Sequence, residues 1–214
     1  MQGPPLVFRS LVDAFCSCTL SSWSYLLIVI MAGLPGTGKS TLARVLARRF
    51  SGAVLNKDAV RAALFQPPHI EYSVVQDDFC QEIMLKTAAY LLAKDPGIHV
   101  LLDGRTFSRR YQRERVIEFC RQAGTTWATL ECICAEQTAL RRLSEAVAQN
   151  THPAANRTPE LYHQIRKAWE LIDLPKILID TDGNLDSCVD RALRYLMIRT
   201  DDVDAQHATP KPSL

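Results

Sequence analysis

The sequence feature that most constrains the possible folds of this chain is a glycine-rich loop between an apolar strand and an amphipathic helix. Residues 33–41 read Gly-Leu-Pro-Gly-Thr-Gly-Lys-Ser-Thr and match the pattern G-x-x-x-x-G-K-[ST]. The apolar run 26–32 precedes this phosphate loop, and the spacing of apolar residues predicts a helix over 39–50. Successive backbone N–H groups at a helix N-terminus can bind a phosphate. A glycine turn with an incidental lysine is the alternative, and the flanking strand and helix disfavour it.

Each residue type in the phosphate loop has a use in a nucleotide site. Glycines let the backbone approach a phosphate more closely than a side chain would permit. We expect Lys39 to reach the β- and γ-phosphates, Ser40 to ligate Mg²⁺ and Thr41 to support the turn. The predicted nucleotide-binding residues are Gly33, Gly36, Thr37, Gly38, Lys39, Ser40 and Thr41.

The rest of the chain alternates short apolar runs with helical stretches. This alternation predicts an α/β fold with a parallel sheet, right-handed crossovers and ligands at the carboxyl ends of the strands. Strands are predicted over 26–32, 53–55, 98–102, 127–134 and 176–179. Helices are predicted over 39–50, 58–65, 77–94, 108–122, 136–148, 159–172 and 185–197.

The length of 214 residues suits one domain, which we place at 25–198. Residues 1–24 lack a clear period and form an N-terminal extension, in which 11–15 could make a short helix. The polar stretch 199–214 is predicted to be a mobile tail, and the segment 149–158 is predicted to be a small lid.

Charge and cysteine usage narrow the possible partners and the cellular setting. The formal net charge of +2 is too small to imply a nucleic-acid or membrane partner, and no apolar run approaches the length of a membrane span. Seven cysteines without a C-x-x-C pair form neither a zinc site nor an even disulfide framework. A reducing cytoplasm fits this usage best.

An acid and a basic residue follow the second predicted strand. Asp58 lies at the carboxyl end of that strand, where it could accept the proton of an acceptor hydroxyl. Arg61, one helical turn later, could hold an anionic or polar substrate group. Asp58 could instead merely cap a helix that begins at Ala59, and the two roles are compatible.

The third predicted strand ends in Asp103 and Gly104. Asp103 would lie beside the phosphate loop and hold Mg²⁺ directly, through water, or by orienting Lys39 or Ser40. An ordinary Asp-Gly turn is the alternative interpretation.

Arginines are frequent beyond this strand, and most suit solvated helix faces. Arg105 and Arg109 border the predicted acceptor pocket, which we place at 58–76 and 104–113 and which favours a polar or anionic compound. Arg142 and Arg157 are the candidates for a cation that covers the γ-phosphate, and ordinary surface arginines are the alternative.

Residues 26–198 resemble the P-loop kinases of the nucleoside-monophosphate-kinase-like branch. The resemblance is strongest to the small kinases of the "AAA domain" group, which are related to polynucleotide kinase, adenylylsulfate kinase, chloramphenicol phosphotransferase and zeta toxin. The phosphate loop carries it most specifically, and segments 56–61, 103–106, 141–142 and 178–181 look like the corresponding family segments. The resemblance implies a five-stranded parallel sheet, ATP with Mg²⁺, and phosphorylation of a hydroxyl or similar acceptor. In the family's segment after the second strand, the Asp is the base and the Arg contacts substrate.

Three functions remain open from the sequence. An ATP-dependent kinase acting on a small polar molecule accounts for all three motifs. A 5′-hydroxyl polynucleotide kinase would need a basic channel for a single strand and aromatic residues that stack on its bases. The net charge of +2 is low for such a channel, and aromatic residues are few near the candidate groove. A nucleotide-dependent switch would leave Asp58 and Arg61 without a role. We therefore expect a small-molecule substrate, no membrane and no nucleic acid, and we make no prediction of oligomeric state.

Overall fold

The fold is seen in a computed structural model that describes residues 27–95, 97–149 and 158–207, with side chains to residue 197. The strands are β1 (Leu27–Ala32), β2 (Gly52–Asn56), β3 (His99–Asp103), β4 (Thr126–Ile133) and β5 (Lys176–Asp180). The helices are α1 (Lys39–Arg49), α2 (Lys57–Leu64), α3 (Val74–Lys94), α4 (Arg110–Ala123), α5 (Glu136–Ala148), α6 (Pro159–Lys167) and α7 (Leu185–His207).

The five strands form one sheet in the order β2-β3-β1-β4-β5, and every neighbouring pair is parallel. This confirms the predicted α/β class and the five-stranded parallel sheet. The register pairs Asn56 with Asp103 between β2 and β3, and Ile30 with Leu102 between β1 and β3. The carboxyl ends of β2, β3 and β1 therefore lie side by side along one edge of the sheet.

Strand β1 is buried on both faces because helices cover each side of the sheet. Ile28, Ile30 and Ala32 pack in a core with α3 and α4, whereas Leu27, Val29 and Met31 belong to a core with α1 and α7. Each fully buried Leu or Ile contributes about 1.5–3 kcal/mol to folding. The phosphate loop therefore follows a strand that is fixed from both sides.

Three helix boundaries differ from the prediction by three residues or more. Helix α3 begins earlier, at Val74, because Ser73 accepts a hydrogen bond from the backbone N–H of Gln76. Helix α6 ends earlier, at Lys167, and the chain that follows packs back on the domain through the backbone of Leu171, which accepts a hydrogen bond from Arg113.

Helix α7 continues to His207, so residues 199–207 of the predicted tail are helical. No proline or glycine interrupts the sequence from 185 to 208, which lets the helical backbone continue. The N-terminal extension 1–24 lies outside the described residues. So do residues 150–157 of the predicted lid.

Among the described residues, no helix combines the length and the apolarity needed to cross a membrane.

Candidate active site

The phosphate loop requires glycine at two points where the backbone is tightly enclosed. Gly33 has φ 138° and Gly36 has φ 79°, conformations that L-residues with a side chain rarely adopt. A Cβ at Gly33 would lie 2.4 Å from the carbonyl oxygen of Cys132, and one at Gly36 would lie 2.5 Å from that of Ala139. The glycines are thus fixed by the approach of β4 and α5 as well as by the turn itself.

Helix α1 begins within this loop, at Lys39, and no side chain among the described residues caps its N-terminus. Its N-cap residue is Gly38, which is left-handed with φ 75° and ψ 7°, and no acidic residue lies in the first turn. The N-terminal N–H groups of a helix carry partial positive charge and bind anions. The predicted strand, loop and helix are all present, with Ser40 half-buried and Thr41 exposed on α1.

Lys39 lies over the loop and is nearly fully buried. Its ammonium donates hydrogen bonds to the carbonyl oxygens of Gly33 at 2.8 Å and Leu34 at 2.6 Å, while the Thr37 hydroxyl donates to the same Leu34 carbonyl at 2.7 Å. The lysine is therefore held at the loop by backbone acceptors, which phosphate oxygens can replace.

Asp103 ends β3 with only 1% of its surface exposed. One carboxylate oxygen, Oδ2, accepts a 2.7 Å hydrogen bond from the Asn56 side-chain amide. The other, Oδ1, is buried and has no hydrogen-bond partner within the described part of the chain. Gly104 follows with φ 82°, and a Cβ there would lie 2.7 Å from the backbone nitrogen of Lys57.

Lys39 and Asp103 both act on the thiol of Cys132, a buried residue of β4. Burial raises the pKa of this thiol to about 12, while the Lys39 ammonium lowers it and the Asp103 carboxylate raises it. Both charged groups are thus within electrostatic range of this thiol. Because burial raises its pKa this far, the Cys132 thiol stays protonated at neutral pH.

Asp58 belongs to a cluster of paired charges that we call the acceptor network, made of Lys57, Asp58, Arg61 and Asp77. Asp58 accepts a 2.9 Å hydrogen bond from Arg61, and the Lys57 ammonium lies 3.3 Å from the same oxygen. Asp77, in the first turn of α3, pairs with both Lys57 and Arg61. The Tyr72 ring covers the Arg61 guanidinium at 5.2 Å, so this arginine is 2% exposed.

The interpretation of Asp58 as the helix cap is wrong. The cap of α2 is Asn56, whose side-chain oxygen accepts hydrogen bonds from the backbone N–H groups of Asp58 and Ala59, both at 3.0 Å. Asp58 lies inside the first turn instead, where its carboxylate reaches the acceptor network.

Arg105 is buried against α3, in contrast to the predicted solvated arginines. It donates to the side chains of Gln81 and Asp78, each at 2.6 Å, and to the Tyr111 hydroxyl at 3.1 Å. Arg109 is half-exposed and pairs with Glu170 at 3.0 Å, so Arg105 and Arg109, two of the three predicted substrate arginines, do not meet in one cluster of contacts.

Arg113 is fully buried and donates to the backbone carbonyls of Phe107 and Leu171. Burial lowers the pKa of its guanidinium, and the neighbouring Asp173 carboxylate opposes that shift. This arginine joins α4 to the segment before β5, and it too is not a solvated residue.

Arg142 reaches the phosphate loop from α5. Its guanidinium donates to the Thr181 hydroxyl at 3.0 Å, the Thr181 carbonyl at 2.8 Å and the Gly36 carbonyl at 3.4 Å. The Thr181 hydroxyl in turn lies 3.1 Å from the Thr37 carbonyl. Arg157 lies outside the described residues, and its role stays a prediction.

Asn56, Lys57 and Asp77 contribute to this arrangement but were not predicted as site residues from the sequence. Asn56 stands between a strand and a helix and belongs to a residue type that commonly caps helices, so its capping role was detectable. Asp77 was not detectable in this way, because its partners lie 16 and 20 positions earlier in the chain.

Comparisons with known proteins agree with this strand, loop and helix arrangement. The family described as "AAA domain" matches residues 28–170. This chain belongs to that family. Among curated proteins, none matches the sequence.

Solved structures of P-loop kinase-like proteins share the fold of this AAA-domain chain. A gluconokinase from Sinorhizobium meliloti has a TM-score of 0.62 and 15% identity, covering 87% of this chain and 99% of its own. The APS kinase CysC of Mycobacterium tuberculosis has a TM-score of 0.59 and 17% identity, and the match covers 82% of this chain and 99% of the CysC chain. Kti12 of Chaetomium thermophilum, solved with ADP-AlF3, has a TM-score of 0.61 and 16% identity, and the match covers 81% of this chain and 98% of the Kti12 chain. At these identities the likeness shows a P-loop kinase-like fold.

Proposed function

We propose that this protein is a kinase that uses ATP and Mg²⁺ to phosphorylate a hydroxyl, or a similar acceptor group, of a small polar molecule. The observation that supports this most is the position of Asp58. This buried carboxylate follows β2, and only β3 separates β2 from the strand that leads into the phosphate loop. A phosphate loop alone is common to many activities, whereas a carboxylate beside it suits transfer to an acceptor.

The residues present fit a nucleotide with its metal ion. The glycine backbone and the uncapped start of α1 suit phosphate oxygens. Ser40 and Oδ1 of Asp103, which has no hydrogen-bond partner among the described residues, are oxygen donors of the kind that Mg²⁺ prefers, directly or through water. Bound Mg-ATP supplies the transferable phosphoryl group and neutralises part of its charge.

The chain's own residues then have distinct proposed roles. Lys39 exchanges its carbonyl partners for phosphate oxygens and stabilises the charge that develops on them. Asp58 orients the acceptor hydroxyl and takes up its proton, while Arg61 holds Asp58 in place by their hydrogen bond. Arg142, already seated on the Gly36 carbonyl, and Arg157 are the proposed cations for the transferring group.

The acceptor network favours a polar acceptor over a strongly anionic one. Arg61 and Arg105 are both nearly fully buried, and each is already paired with a carboxylate. An anionic substrate would have to displace those carboxylates, and breaking a buried ion pair is costly. The same pairing disfavours a polynucleotide, which needs cations available for successive phosphates.

We also propose a cytoplasmic setting. Cys80, Cys120 and Cys132 are buried as free thiols, which suits a reducing compartment.

The test is phosphoryl transfer from γ-labelled ATP to a library of small polar metabolites, using the full chain with Mg²⁺. We expect one labelled class of product, and we expect Asp58→Asn to lower its formation by about 10²-fold or more. Asp190→Asn, at an exposed position of α7, is the matched control and should transfer normally.

Thermal unfolding and nucleotide calorimetry on the same variants separate chemistry from folding. Asp58→Asn should still bind nucleotide if its role lies in transfer. ATP hydrolysis without any labelled acceptor would favour the nucleotide switch instead, and normal transfer by a folded Asp58→Asn would exclude Asp58 as the base.

A further inference from the structure

We infer that Asn56 is a positioning residue that fixes the Asp103 carboxylate for the metal ion of the bound nucleotide. This inference rests on the proposed function, because it concerns the same Mg-nucleotide site. It assigns to Asn56 a role that goes beyond capping α2.

The Asn56 side chain uses both halves of its amide at once. Its oxygen accepts from the backbone N–H groups of Asp58 and Ala59, and its NH₂ group donates to Asp103 Oδ2 at 2.7 Å. A carboxamide can donate and accept simultaneously, whereas an aspartate at this position could only accept. One side chain therefore links the start of α2, which carries Asp58, to the acid at the end of β3.

The surrounding backbone keeps this link in register. Asn56 and Asp103 are paired residues of neighbouring parallel strands, so their side chains point to the same face of the sheet. The turn at Gly104 then approaches so closely that an added Cβ would lie 3.0 Å from Asn56 Oδ1 and 2.7 Å from the backbone nitrogen of Lys57. A residue larger than glycine would push β3 away from the amide.

The consequence concerns the second oxygen of Asp103. With Oδ2 held by Asn56, the carboxylate has a fixed rotation, and Oδ1 is left as the buried oxygen that lacks a hydrogen-bond partner in the described ranges. Groups that orient a metal-binding carboxylate change metal affinity without touching the metal. Loss of the Asn56 donor should therefore weaken the Mg²⁺-dependent part of nucleotide binding in particular.

The experiment measures binding of a non-hydrolysable ATP analogue by calorimetry over a series of Mg²⁺ concentrations. Asn56→Ser keeps a preferred capping oxygen but is too short to donate to Asp103. We expect it to raise the Mg²⁺ concentration for half-maximal binding by roughly 10-fold, with little change in binding without Mg²⁺.

Asn184→Ser is the matched control. Asn184 accepts from the backbone N–H groups of Asp186 at 2.8 Å and Ser187 at 3.4 Å, the same pair of contacts at the start of α7. This control should change thermal stability by a similar small amount and leave the Mg²⁺ dependence unaltered. If Asn56→Ser is poorly folded, Asn56→Thr serves instead, because threonine caps helices and suits the extended backbone of this position.

A double-mutant cycle decides whether Asn56 acts through Asp103. Asp103→Asn alone should weaken the Mg²⁺ dependence, and adding Asn56→Ser should then have little further effect. If nucleotide binding depends on Mg²⁺ equally in wild type, Asn56→Ser and Asn184→Ser, the inference is overturned and Asn56 acts only as a helix cap. Absence of Mg²⁺-dependent nucleotide binding in the wild type would overturn the proposed function itself.

Discussion

The phosphate loop and the acceptor network lie at the same edge of the sheet, but the loop is formed mainly by backbone groups and the network by side chains. The loop consists of backbone held in left-handed conformations at Gly33, Gly36 and Gly38, and its one charged group, Lys39, donates to carbonyl oxygens. The acceptor network consists of side chains, in which Lys57 and Arg61 share the carboxylates of Asp58 and Asp77.

This difference indicates how each region tolerates change. A backbone site fails when a Cβ occupies the space that the ligand or a neighbouring strand needs. A side-chain network fails when one member is removed and its buried partner is left without compensation. Substitutions that add bulk should therefore impair the phosphate loop most, whereas substitutions that remove a charge should impair the acceptor network most.

The largest effect is expected from Lys39→Ala. Because the lysine supplies charge inside an enclosed site, its removal should lower kcat/KM by roughly 10³-fold and weaken Mg-ATP binding. Steady-state kinetics and calorimetry measure the two effects. Lys86→Ala is the control, since Lys86 is an exposed residue that pairs with Glu82 on α3. Unchanged nucleotide affinity and turnover in folded Lys39→Ala would show that the loop is not the nucleotide site.

Gly36→Ala tests the shape of the loop without changing its charge. The added Cβ would lie 2.5 Å from the Ala139 carbonyl in a conformation that alanine disfavours, so we expect a loss of about 1–3 kcal/mol in unfolding free energy. Nucleotide binding should fall with it. Gly124→Ala has the same kind of strain, at φ 62°, but a Cβ there meets nothing within 4 Å.

Denaturant unfolding and calorimetry compare these two glycine variants. Gly124→Ala should lose some stability and bind nucleotide normally. Equal nucleotide affinity in both variants would contradict the view that steric enclosure shapes the phosphate loop.

Asp77→Asn tests the charge of the acceptor network. It leaves Asp58 as the carboxylate partner that Lys57 and Arg61 share, and it should raise the KM for the acceptor several-fold while nucleotide affinity stays unchanged. Because Asp77 is partly exposed, solvent screening limits the expected loss of stability to about 1 kcal/mol. A variant that loses nucleotide affinity instead would show that the two regions are not separable.

The smallest effect is expected at an exposed ion pair on α4, which gives the baseline for the buried network. Hydrogen bonds from Arg121 and Gln122 lower the pKa of Glu118 from its ordinary value of 4.5 to about 2. A depressed pKa stabilises the folded state above pH 4.5, and this contribution is lost as the pH falls through about 2.

Glu118→Gln should nevertheless leave activity and Tm at pH 7 nearly unchanged, because solvent screens this exposed ion pair and keeps its contribution to stability small. NMR titration of the Glu118 carboxyl checks the low pKa directly. A large fall in Tm at pH 7 would mean that charges on this surface matter as much as those of the acceptor network.

The sequence determined the local elements and the phosphate loop. Apolar periodicity and glycine spacing act over a few residues, and they placed the five strands, the α/β class and the turn that enters α1. The same local rules missed the cap of α2, because Asn56 and Asp58 are both acceptable N-cap residues. They also overestimated the length of α6 and ended α7 too soon.

Only the tertiary structure decided which polar groups compensate one another. The partners of Arg105 lie on α3 as well as α4, Arg113 donates to a carbonyl 58 positions away, and Asn56 meets Asp103 across 47 positions. Arginines that look alike in the sequence therefore have different surroundings in the fold. Arg109 is half-exposed, Arg105 is paired beside the acceptor network, and Arg113 is a fully buried link between segments. The physical reason is that the free energy of a buried charge depends on the donors and acceptors that the fold brings to it, whereas the propensity for a helix or strand depends mainly on near neighbours.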